Sequence, residues 1–105
     1  MLKVIGLIKR REDMTHEEFV KYWEEEHVPK ALEFPKLKKY VTSPAVSPDR
    51  YEWEGVGELY FESVEDITAT LESDQGKKVR ADEDNFIRTV DNIVVSENVH
   101  YSEIE

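Results

Sequence analysis

The sequence predicts one α+β domain spanning residues 1–105, built on a four-stranded antiparallel sheet. Three observations predict it: β-prone and helix-prone segments follow the order strand, helix, strand, strand, helix, strand; two capping signals mark where helices begin; and the first and last strands are apolar on both alternating faces.

Leu2 to Lys9 is the first strand, with Val4 and Ile8 on one face and Ile5 and Leu7 on the other, so both faces need cover. In Met14-Thr15-His16-Glu17-Glu18-Phe19, Thr15 and Glu18 form a capping box, while Met14 and Phe19 stand at the two positions of a hydrophobic staple. The helix that follows carries Phe19, Tyr22, Trp23 and His27 at spacings of three and four, which places them on one face. Pro29 has no amide hydrogen and disfavours helical geometry at Val28, so the helix should kink or stop there, with a short continuation through Leu32 ended by Phe34-Pro35. Leu37 to Val46 reads as a second strand that Pro44 confines to an edge or a bulge, and Ser47-Pro48-Asp49-Arg50 as a turn.

Gly55 to Phe61 is the third strand, with Val56 and Tyr60 facing opposite to Leu59 and Phe61. Ser63, followed by Asp66, opens a second helix with Val64, Ile67, Thr68 and Leu71 as its expected face, and Gly76 is expected to interrupt it. A further helical piece through Asn85 puts Val79, Asp82 and Phe86 on one side, and Val90 to Val99 closes the chain as a two-faced strand. This order is the split βαβ arrangement of ferredoxin-like βαββαβ domains. Two helices cover only one face of such a sheet. A second copy of the same sheet is the simplest cover for the other, so a homodimer through the open face is expected.

A formal net charge of −10 opposes binding to a phosphate backbone, which depends on basic side chains, so neither nucleic acid nor an anionic membrane is an expected partner. Lys9-Arg10-Arg11 and Lys36 to Lys39 could hold a small anion, or simply be solvated strand ends. The chain has no cysteine, which excludes disulfides, thiolate nucleophiles and cysteine-ligated zinc. The apolar run Val4 to Ile8 is too short for a signal-peptide core or a membrane span, and a cytoplasmic location is the expectation. His16 and His27 are separated by about 16 Å along a helix axis and cannot share a metal. Gly55-Val56-Gly57 lacks the third glycine and following helix of a phosphate loop.

Val4-Ile5-Gly6-Leu7-Ile8-Lys9-Arg10, then Phe19, Tyr22-Trp23, and His27 with Pro29 close behind, resemble the EthD family in order and spacing. Gly55-Val56-Gly57-Glu58-Leu59-Tyr60-Phe61, Ala81-Asp82-Glu83 leading to Asn85-Phe86, and Val94-Val95-Ser96-Glu97 extend the resemblance through the second half. The resemblance implies a dimeric α+β barrel, two sheets face to face with helices outside. Activity is implied far less, because proteins similar in fold include lactone isomerases, polyketide cyclases, small-ring dehydratases and haem-degrading monooxygenases. One departure is visible: the family often follows the last-strand glutamate with histidine, whereas Glu97 is followed by Asn98.

His27 is the candidate catalytic residue, an imidazole able to move a proton at neutral pH from the face it shares with Trp23. Its plain alternative is a histidine capping the carbonyls of a broken helix. The helix C-terminus, Glu24 and Glu26 favour its charged form, and burial opposes it. Tyr22, Trp23, Tyr40 and Tyr60 could line a pocket for a flat ligand or be ordinary core. Glu58 and Glu97, within otherwise apolar strands, could act as base or orient His27, or face solvent. Asp82 could position a ligand or bond locally to backbone or Arg80. Three functions are thereby expected in turn: a cofactor-free isomerase or lyase acting on a small oxygenated aromatic or lactone-like metabolite; a non-enzymatic ligand-binding accessory of a catabolic oxygenase; and a haem-binding protein with His27 as axial ligand.

Overall fold

The computed structural model describes residues 1–104. Strands β1 (Leu2–Arg10), β2 (Lys39–Pro44), β3 (Gly55–Phe61) and β4 (Ile87–Ser96) form one antiparallel sheet in the order β2-β3-β1-β4. Helices α1 (His16–Tyr22), α2 (Val28–Ala31), α3 (Val64–Glu72) and α4 (Asp74–Glu83) cover one face of it. This is the ferredoxin-like α+β fold, two layers deep within extents of 37 × 36 × 21 Å. No helix among the described residues is long and apolar enough to cross a membrane.

Thr15 caps α1 as the sequence requires: its hydroxyl accepts the Glu18 amide, and the Glu18 carboxylate accepts the Thr15 amide at 2.8 Å. The helix does not stop ahead of Pro29. Trp23–His27 widens into a π-helical turn in which the Val28 amide donates to the Trp23 carbonyl, and α2 resumes with Pro29 in its first turn. In a regular helix, four-residue steps drift by about 40°. The wider turn takes up that drift, so Phe19, Trp23 and His27 all point inward and are buried.

The second helical segment corrects two expectations. Its break is at Ser73, not Gly76: the Ser73 hydroxyl donates to the Thr70 carbonyl at 2.6 Å, ending α3, and accepts the Gly76 amide at 3.0 Å, starting α4. Gly76 lies inside α4 against the end of α3, where a Cβ would fall 2.2 Å from the Thr70 carbonyl oxygen. The buried face of α3 is Ile67 and Thr70, while Val64, Thr68 and Leu71 are exposed. Strand ends also shift. β2 is shorter than expected because Leu37 turns in to pack on two core clusters. β4 begins three residues early because the Arg11 amide pairs with the Phe86 carbonyl at 3.0 Å, drawing the chain into the sheet at once.

Register separates the two faces. Val4 pairs with Leu59 and Val94, Gly6 with Gly57 and Asn92, and Ile8 with Gly55 and Val90, all beneath the helices. Ile5 pairs with Glu58 and Ile93, and Leu7 with Val56 and Asp91, on the face without helices. The core is therefore one-sided. Phe19, Trp23, Phe86 and Ile8 form its centre, flanked by Val4-Phe61-Ile67 and Ala31-Phe34-Val79.

Candidate functional site

His27 closes the π-helical turn, and α4 runs beside it, bringing Asp82 within reach. His27 Nδ1 lies 2.8 Å from Asp82 Oδ2, with both side chains buried. The other carboxylate oxygen, Oδ1, accepts the Tyr22 hydroxyl at 2.6 Å, Asn85 Nδ2 at 3.0 Å and Lys30 Nζ at 3.2 Å. Burial alone would push the Asp82 carboxyl up; these four donors together bring it down to about 2. Burial lowers the His27 imidazole below its ordinary range, against the opposing pull of Asp82. A neutral ring beside an ionised carboxylate places its one hydrogen on Nδ1, toward Asp82, and leaves Nε2 as an acceptor.

A cleft of about 70 Å³ lies between His27 and the sheet. Trp23 forms one wall and packs so closely on β3 that a Cβ at Gly55 would fall 2.9 Å from its ring. Tyr40, Glu83 and Asn92 supply its other polar groups, and Val79, Phe86 and Val90 its apolar lining. Trp23 Nε1 donates to the Tyr40 hydroxyl at 3.4 Å, and burial pushes the Tyr40 phenol up. A second hollow, of about 590 Å³, lies among Arg10, His16 and Glu54, where charges already answer one another: Glu54 contacts both His16 and Arg10, and Lys9 pairs with Glu52 at 2.7 Å.

The structure thus brings His27, Trp23, Tyr40, Tyr22 and Asp82 to the helix side, with Tyr22 serving the Asp82 network. Tyr60, Glu58 and Glu97 lie elsewhere. They gather round Lys3 on the opposite sheet face, at 2.6 Å for Glu58 and 2.9 Å for Glu97, with the Tyr60 hydroxyl donating to Glu97 at 3.1 Å. Glu58 first, then Glu97, raises the Lys3 ammonium. The sheet separates these carboxylates from His27, so the expectation that either could orient it is corrected: Asp82 does, through a tertiary bond and not the local backbone or Arg80 contact expected for it. Lys30 and Glu83 are additions that the sequence reading lacks. The four-residue step from Val79 to Glu83 is the signal that puts Glu83 on the inner face of α4. Haem does not fit these residues, because the cleft beside His27, bounded by Trp23 and about 70 Å³ in volume, is too narrow for a macrocycle.

The EthD domain matches residues 11–89. An EthD family protein of Bacillus halodurans superposes with a TM-score of 0.81 at 21% identity, covering 93% of this chain and 99% of that one. HapK of Hahella chejuensis gives 0.77 at 10% identity, covering 100% and 99%. A dimeric protein of unknown function and ferredoxin-like fold from Bacteroides fragilis gives 0.71 at 14% identity, covering 91% and 95%. Among curated proteins none matches. At these identities the structural likeness speaks for the fold.

Proposed function

Because the chain belongs to the EthD family, we propose that it is a cofactor-free enzyme of the isomerase or lyase type, with His27 moving a proton on a small oxygenated aromatic or lactone-like metabolite. The observation that carries this reading is the 2.8 Å bond from His27 Nδ1 to a fully hydrogen-bonded Asp82. A carboxylate behind an imidazole fixes its tautomer and stabilises the imidazolium formed when Nε2 accepts a proton. Asp82 is then a positioning residue, and Tyr22, Lys30 and Asn85 hold it ionised. The narrow cleft admits only the reacting end of a substrate; the remainder lies over β4, where Val94 is half exposed.

We further propose that the protein acts as a homodimer, as the Bacteroides fragilis protein of like fold is described. The helix-free sheet face supports this, since Ile5, Leu7, Val56, Ile93 and Val95 lie on it with no helix over them, Ile93 exposed and the others half-buried. Two such faces in contact would make the α+β barrel.

The test is proton exchange. A panel of lactones and hydroxylated aromatic ketones is incubated with the protein in D2O and followed by NMR. Deuterium uptake or product with the wild type, absent with H27Q, is the expected outcome. Binding without exchange or product assigns the cleft to a non-enzymatic carrier of an oxygenase system instead.

A further inference from the structure

Asp82 and Glu83 are neighbours on α4 with opposite circumstances. Asp82 has four donors, whereas the Glu83 carboxylate has neither an ion pair nor a side-chain hydrogen bond among the described residues. Yet Glu83 lines the same cleft as His27, half-buried among Val79, Ala31 and Phe86. A carboxylate that turned only to solvent would not stand in an apolar cleft, where an unpaired charge is costly.

Resting on the reading of His27 as base, we propose that Glu83 is the cleft's proton donor, and that the two together select an enolisable carbonyl compound whose double bond shifts by one carbon. His27 Nε2 takes a proton from the carbon between the carbonyl and the alkene. The electron pair of that C–H bond becomes a C=C bond, and the carbonyl oxygen accepts the proton of Glu83, giving a conjugated dienol, an imidazolium and a carboxylate. The imidazolium then returns its proton to the far carbon of the diene while the enol hydroxyl returns its proton to Glu83. The product is the conjugated carbonyl isomer. Both groups are restored, and no oxidant or metal is consumed.

Burial raises the Glu83 carboxyl, helped by Asp84 and Asp82 and opposed by Arg80, so that it holds a proton at higher pH than an ordinary glutamate. The titrating groups facing it from other elements are Tyr40 on β2 and His27 on the π-helical turn.

Cyclohex-3-en-1-one is the probe, its conversion to the conjugated enone followed by ultraviolet absorbance across pH. The wild type should outpace buffer with a bell-shaped profile. E83Q should lower kcat on the order of tenfold or more, leave KM within about twofold, and flatten the alkaline limb, while E83D regains part of the rate together with that limb. H27Q should fall to the buffer rate. E83Q matching the wild type in rate and profile, with H27Q inactive, would overturn the role of Glu83 and leave His27 as base. A wild type no faster than buffer overturns both.

Discussion

His27 makes two demands at the residue scale. As a base it should be indispensable to turnover but replaceable for folding, because Tyr22, Lys30 and Asn85 still satisfy Asp82 when the ring is gone. H27Q should therefore lose on the order of a hundredfold or more in rate while its melting temperature stays near that of the wild type. A variant that melts far earlier with unchanged turnover would make the ring a structural cap. The second demand concerns pH. Burial lowers the folded-state pKa of His27, so as pH falls below 6.5 the unfolded chain takes up a proton that the folded one refuses. Stability should decline from pH 6.5 downward to the folded midpoint, and H27Q should lack that decline in urea titrations. Asp82 acts lower: with its carboxyl held at about 2 instead of 3.8, its contribution is complete above 3.8 and disappears as pH falls through about 2.

At the scale of elements, the junctions carry the most sensitive positions. Gly76→Ala would thrust a methyl to 2.2 Å from the Thr70 carbonyl and 2.7 Å from that of Leu71, both backbone atoms that cannot swing aside. It should cost about 2–3 kcal/mol, measurable by chemical denaturation, and loosen the α3–α4 corner that sets the pitch of Asp82. Thr15→Ala is milder. It removes one cap of α1, worth about 1 kcal/mol, and should leave the cleft and its chemistry unchanged. The π-helical turn belongs to this scale too: without the wide turn before Pro29, the same four-residue spacing would carry His27 away from Asp82.

The whole molecule is lopsided: helices bury one sheet face, and the other presents Ile5, Leu7 and Ile93 at its centre with the Lys3-Glu58-Glu97 cluster at one end. Leu7→Asp puts a charge in the middle of the face proposed to pair, where a second copy would leave it desolvated and unpartnered. Light scattering at micromolar concentration should give twice the chain mass for the wild type and the chain mass for L7D, with helical content retained. Val64→Asp, on the solvent side of α3, is the matched control and should remain a dimer. A wild type at chain mass that binds no hydrophobic dye would remove the dimer.

The α1 cap, the third strand at Gly55–Phe61, the order of strands and helices along the chain and the aromatic-to-imidazole stripe were all legible in the sequence, because each depends on contacts within a few residues or on simple alternation. His27 and Asp82 could both be picked out singly, as polar groups on apolar helical stripes. Their pairing could not. They are separated by 55 positions, and only the packing of α4 beside the π-helical turn makes Asp82 the partner while the thickness of the sheet takes Glu58 and Glu97 out of reach. The break at Ser73 and the exposure of Val64 and Leu71 were likewise decided by how α3 and α4 meet. Local chemistry determines which elements form; which side chains face one another across them depends on crossing and depth, quantities that no periodicity contains.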